Sequence, residues 1–279
     1  MKIISSGKVL NSPGFYKKKK LKERIQLALI LIGVLVLVSS FVYLTRHERF
    51  MISEVEVLEK NAIDTDEIIE ATKSVLSGNY LWLIPRSSAF VYPSSKIEAH
   101  LLASFPRLKS VKLELSDMKK LTVSVSEREP FALYCANALH PATASECYFL
   151  DEEGLIFAEA PSFSGVTYFV FATEDPIENP IGERFLPLDE FSYLLNFIEN
   201  LTTLNIKPLA LGFSGNEYSL FLPNGGQITL KKDDDFASVY SNLTAFLTDE
   251  AIKSQPNFLD KILYLDLRTK DKVRWKFQE

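Results

Sequence analysis

The stretch LTVSVSEREPFALYC, residues 121–135, decides how the chain is divided. Leu121, Val123 and Val125 alternate with Thr122, Ser124 and Ser126, the period of a strand with one buried face. A second apolar run, PFALYC, follows, and Glu127-Arg128-Glu129-Pro130 stands between the two. Proline has no N–H to give to a strand ladder, so pairing is expected to break there. One folded unit should end near residue 128 and another begin.

Upstream of this joint the periodicities change in order. MISEVEVLE, from Met51, mixes Ile52, Val55 and Val57 with Ser53, Glu54 and Glu56 and predicts a strand. Asp64-Thr65-Asp66-Glu67 resembles a capping box and opens a helix with Ile68, Ile69, Thr72, Val75 and Leu76 at helical spacing. YLWLIP is a short apolar run, and residues 85–95, PRSSAFVYPSS, predict a loop rich in Pro and Ser. Ser95-Lys96-Ile97-Glu98 is a second capping-box pattern, opening a helix that Pro106 stops. LKSVKLEL and LTVSVSE read as strands about a turn at Lys119-Lys120. Strand, helix, helix, strand, strand is a small sheet with its helices on one face.

Charge is segregated along the chain. The net charge of −5 combines +7 in residues 1–24, none in residues 25–44 and −12 in residues 45–279. The uncharged stretch, IQLALILIGVLVLVSSFVYL, suits the ~20 residues that a membrane helix needs. Lys17, Lys18, Lys19, Lys20, Lys22 and Arg24 precede it, and only Arg46 and Arg49 follow closely. This asymmetry predicts a cytoplasmic N-terminus and an extracytoplasmic body, in a plasma (inner) membrane. The basic residues then orient the span and meet anionic lipid, and nucleic acid is not expected as a partner. A cleaved signal peptide is the rival reading, with Val38-Ser39-Ser40 as its small-residue site. The apolar run exceeds the ~7–15 residues of a signal core, which favours an uncleaved anchor.

Downstream of the joint, CYFLDEEGLIF predicts two strands about a turn at Asp151–Gly154. LDEFSYLLNFIENLTTLNI is amphipathic, with Phe191, Leu194, Leu195, Ile198 and Leu201 on one face. EYSLFLPNGGQITL is a hairpin turning at Asn224-Gly225-Gly226. Asp233-Asp234-Asp235 precedes a helix through Phe236, Val239, Leu243 and Phe246, where acids favour the helix dipole. KILYLDLRTKDKVRWKFQE predicts two final strands. Cys135 and Cys147 enclose eleven residues. An exported domain permits a disulfide there, worth roughly 3 kcal/mol in the chain-entropy model. Two free thiols remain open as a reading, as does a metal site with His140, although a fourth ligand is missing nearby.

No catalytic constellation accompanies these elements. The three histidines, His47, His100 and His140, fall in different segments, and no Gly-x-Ser-x-Gly, Walker, HExxH or Ser-x-x-Lys pattern occurs. No cofactor, metal or small-molecule substrate is expected. The last strand, Val273-Arg274-Trp275-Lys276-Phe277, alternates apolar and basic residues. A strand at a sheet edge is a template for a partner's strand, although its aromatics also suit packing on the domain core.

In order along the chain, these motifs resemble the FtsQ/DivIB family of cell-division proteins. SEVEVLEKNAIDTDEII resembles the opening of a POTRA domain, and KIEAHLLASFPRLKSVKLEL its second helix and following strand. VSEREPFALY resembles the family's junction into its β domain, YFLDEEGLIF an early Asp-x-x-Gly hairpin, and LYLDLRTKDKVRWKF the late Asp-Leu-Arg segment and final strand. The resemblance covers nearly the whole chain. It implies an α+β architecture: a basic tail over 1–24, a transmembrane helix over 25–44, a linker over 45–50, a POTRA domain over 51–128 and a β-rich domain with two helices over 129–279. It implies a non-catalytic scaffold at the division site that binds FtsB/DivIC-like and FtsL-like coiled-coil proteins. Carried onto this sequence, it places partner contacts at Asp266, Leu267, Arg268, Val273, Trp275 and Phe277, with the POTRA unit serving docking and recruitment. Two other classes stand beside it. A secretion or envelope-assembly component would want several POTRA units or a barrel of ~10-residue strands. A wall-modifying enzyme would need convergent catalytic residues.

Overall fold

A computed structural model describes residues 13–58, 63–136, 146–163, 165, 167–270 and 272–278. The architecture is mixed α+β, with an apolar N-terminal helix and one large sheet. Helix α1 spans Pro13–Thr45, so it begins well before the uncharged stretch. Lys and Arg are good helix formers, and Lys17–Lys20, Lys22 and Arg24 extend the helix with their side chains exposed. Its length and composition are sufficient to cross a membrane.

The next elements are β1 (Glu54–Val57), α2 (Thr65–Leu76), the two-residue strands β2 (Asn79–Tyr80) and β3 (Ile84–Pro85), α3 (Ser94–Ser104), β4 (Leu108–Leu115) and β5 (Lys120–Glu127). The Asp64 carboxylate caps α2 by accepting from Asp66 N–H at 3.0 Å. Helix α3 starts one residue earlier than its expected cap. The Pro93 carbonyl accepts from Lys96 and Ile97, which leaves Ser95 inside the first turn. Strands β1, β5 and β4 form a sheet in that order, with β1 parallel to β5 and Val55 opposite Leu121. Ile68 and Leu76 of α2, Ile97 and Leu101 of α3, and Leu121, Val123 and Val125 of β5 are buried.

Strands β6 (Ala132–Cys135), β7 (Cys147–Leu150), β8 (Ile156–Glu159) and β9 (Phe169–Thr173) precede helix α4 (Leu188–Leu201). Then come β10 (Ala210–Ser214), β11 (Glu217–Phe221), β12 (Gln227–Lys231), α5 (Phe236–Thr248), α6 (Glu250–Lys253), α7 (Phe258–Lys261), β13 (Ile262–Thr269) and β14 (Lys272–Phe277). The two expected helices are therefore joined by two four-residue helices that the sequence reading passed over. Their apolar anchors, Ile252 and Phe258, are too few to show a period. Among the described residues, nine strands form one sheet in the order β14-β13-β12-β11-β10-β9-β6-β7-β8. The pairs β6–β9, β9–β10 and β12–β13 are parallel. Phe191, Leu194, Phe197 and Leu201 of α4 and Val239 and Leu243 of α5 bury against Leu211, Leu220, Ile228, Leu230 and Leu265 of the sheet.

The chain packs as two compact units, residues 1–101 with 112–125, and residues 102–111 with 126–279. In the second, Cys135 faces Cys147 across the β6–β7 pair and the two are joined by a disulfide, with Cα atoms 4.2 Å apart. His140, the third member of the metal alternative, lies outside the described residues.

The Glu127-Arg128-Glu129-Pro130 segment is held by its arginine. Arg128 Nε donates to the Pro106 carbonyl at 3.1 Å, and a terminal guanidinium nitrogen pairs with the Asp151 carboxylate. The other Asp151 oxygen accepts from the N–H groups of Glu153 and Leu155, each at 2.9 Å. Side-chain exposure is 13% for Arg128 and 5% for Asp151, so this is a buried pair.

Candidate functional site

Strand β14 ends the sheet, and among the described residues no strand pairs with its outer edge. It lies antiparallel to β13, with Leu265 opposite Trp275, Asp266 opposite Arg274 and Tyr264 opposite Lys276. A strand's side chains alternate between faces, so each pair belongs to one side of the sheet. Val273, Trp275 and Phe277 pack on the helix-covered side. The Trp275 and Phe277 rings lie 5.3 and 5.5 Å from the Phe258 ring of α7. Lys272, Arg274 and Lys276 are exposed.

The six residues singled out by resemblance therefore divide. Leu267 is buried, and Val273, Trp275 and Phe277 fix β14 to the domain. Asp266 and Arg268 lie on the opposite face of β13. There Arg268 grips both Asp266 oxygens, Nε and Nη2 each at 2.9 Å, and reaches Glu217 Oε1 of β11 at 2.7 Å. The hydrogen bonds from Arg268 hold the Asp266 carboxyl below the usual carboxylate range. Sequence reasoning missed two members of this surface. Glu217 is remote in sequence from Arg268, and Phe258 sits in a helix too short to show periodicity.

A second device locks the hairpin in place. Asn224 Nδ2 donates to the carbonyls of Leu259 and Ile262, and Gln278 Nε2 donates to the carbonyls of Asn224 and Ile262. Asn224 reads in the sequence only as a turn residue, yet its amide ties that turn to the start of β13.

The Asp266–Arg268 pair makes a pH prediction. Because folding lowers the Asp266 pKa, its contribution is complete above the ordinary Asp value of about 4 and is lost as pH falls through the lower folded value. The difference in melting temperature between the parent and Asp266→Asn is expected to be flat near neutrality and to shrink below pH of about 4. An undiminished difference at the lowest pH that leaves the fold intact would sink this account.

A groove of about 750 Å³ lies between α4 and the start of α5, lined by Tyr193, Phe197, Tyr218, Lys232, Asp233 and Tyr240 among others. Burial, helped by Glu190 and Asp233, pushes the Tyr218 phenol up to about 12. Burial also raises the phenol of Tyr134, whose oxygen accepts from Ile177 N–H at 2.9 Å. Hydrogen bonds from Ser238 and Ala237 lower the Asp235 carboxyl. These shifts, like that of Asp266, move away from neutrality, the reverse of what a general acid or base at pH 7 requires. Among the described residues, no group of three His, Cys, Asp or Glu side chains could hold a metal ion.

No protein-family model matches this chain, and no curated protein matches it.

Proposed function

We propose that the chain is a bitopic, non-catalytic scaffold of the bacterial cell-division machinery, of the FtsQ/DivIB type, with its N-terminus cytoplasmic and its folded units extracytoplasmic. The open outer edge of β14 carries this reading, because it is rigidly seated and offers backbone groups for a partner's strand. The order β1, α2, α3, β4, β5 and the three-stranded sheet are compatible with a POTRA unit. The basic start of α1 and its apolar remainder are compatible with a single membrane span. The partners would be FtsB/DivIC-like and FtsL-like coiled-coil proteins, and the exposed basic positions of β14 favour a strand with acidic flanks.

The test is co-purification of the full chain with the outer segments of those two proteins from the same genome. Val273→Pro removes one backbone donor from β14 and is expected to weaken the complex roughly tenfold, the effect of one or two lost ladder bonds. Arg274→Glu should slow association and flatten its dependence on salt, since it removes an attractive exposed charge without touching the core. If both variants bind as the parent does, strand addition at β14 is wrong. If the parent ignores both proteins, the division reading fails and an envelope-assembly role takes its place.

A further inference from the structure

Outside α1, the strongest exposed apolar feature is the tip of the β2–β3 hairpin. Leu83 N–H donates to the Tyr80 carbonyl at 3.0 Å and closes a tight turn. Its central residues, Leu81 and Trp82, both have positive φ, at 45° and 63°. Asn-Gly is the ordinary choice for that backbone, and large side chains rarely adopt it. Both are nonetheless 90% exposed, and Leu83 beside them is 54% exposed. A turn facing water gains nothing from three large apolar side chains, two of them held in a disfavoured conformation.

The position of this tip supplies the reason. Arg46 immediately follows α1 and donates from Nε to the Leu83 carbonyl at 2.8 Å and from Nη2 to the Trp82 carbonyl at 3.2 Å. The hairpin is therefore pinned to the end of α1, which is long and apolar enough to cross a membrane. Tyr43 and Leu44, at that end of α1, are themselves exposed. The following segment is tied down beside it. Ala89 N–H donates to the Phe50 carbonyl, Ile52 N–H donates to the Ser87 carbonyl, and the Phe50 and Phe90 rings lie 5.0 Å apart. Aromatic rings at a helix end belong to the headgroup region of a bilayer, and the Arg46 guanidinium suits lipid phosphates.

We propose that Leu81, Trp82 and Leu83 insert into the membrane interface at the C-terminal end of α1, as a second anchor beside the span. The inference rests on reading α1 as a membrane helix. Two attachments would fix how the first unit stands on the bilayer, where a single helix leaves it free to tilt.

The test uses the full chain in phosphatidylcholine vesicles with brominated acyl chains. The chain has two tryptophans, so the difference between the parent and Trp82→Phe isolates the emission of Trp82. A side chain this exposed is replaceable without disturbing the core. Brominated lipid is expected to quench at least about half of the Trp82 emission, and aqueous acrylamide to quench little of it. If the chain survives an alkaline carbonate wash in the vesicles while Trp82 is quenched by acrylamide and not by bromine, the tip faces water and the proposal is overturned. If the chain washes out of the vesicles, the membrane reading of α1 fails, and this anchor fails with it.

Discussion

Replacing Arg128 by alanine is expected to destabilise the second unit by about 3–5 kcal/mol, because it strands a buried carboxylate at Asp151. The pair's own net worth is smaller, since both charges were taken out of water to form it. Truncating one partner exposes the full cost of burying the other. In a unit of this size the melting temperature should fall by about 6–20 °C. The double variant Arg128→Ala, Asp151→Asn should recover part of the loss. An amide oxygen at position 151 still accepts from Glu153 and Leu155 and carries no charge to be paired. Thermal unfolding of the full chain in detergent or nanodiscs reads both values. A loss below about 1 kcal/mol for Arg128→Ala would mean that water reaches Asp151 and solvates it.

Gly154→Ala, in the same turn, should cost about 2–5 kcal/mol for two separable reasons. The residue sits at φ +78°, where a Cβ meets the following carbonyl. A Cβ there would also lie 2.9 Å from ring carbons of Phe191, which is fully buried in the first turn of α4. The ring has nowhere to go without displacing its neighbours. In a Phe191→Leu background the steric part should diminish while the backbone part persists. The experiment is the unfolding midpoint of the two single variants and the double. Strict additivity of the two changes would contradict the contact as the source of the cost.

How much of this was legible in the sequence depended on how local each cause is. The uncharged run from Ile25 to Leu44, the Asp64 cap, the Asp235 cap and the Asn224–Gly226 turn act within a few residues, and each could be read in place. The strand order could not. Parallel neighbours such as β6 with β9 and β12 with β13 are chosen by contacts across long connections, which leave no periodic signal. The hairpin at Tyr80–Ile84 stayed hidden because Leu-Trp is no turn signal; its unsuitability is what makes it informative. The β14 surface was half legible. Alternation revealed its two faces, whereas Glu217 joins Arg268 only through the folded sheet. The charged joint at Glu127–Pro130 was visible as a break, but nothing near it in sequence announces Asp151 as the partner of Arg128.

The basic row on β14 has a consequence for crowding as well as for recognition. An open edge invites copies of the same chain to stack edge to edge, the first step of uncontrolled aggregation. Were two copies to align β14 antiparallel, Lys272, Arg274 and Lys276 of one would stand against the same three residues of the other. Like charges facing across a ladder are destabilising. The row thus acts as a gatekeeper, holding identical molecules apart at high local density while leaving the edge open to a strand of opposite charge.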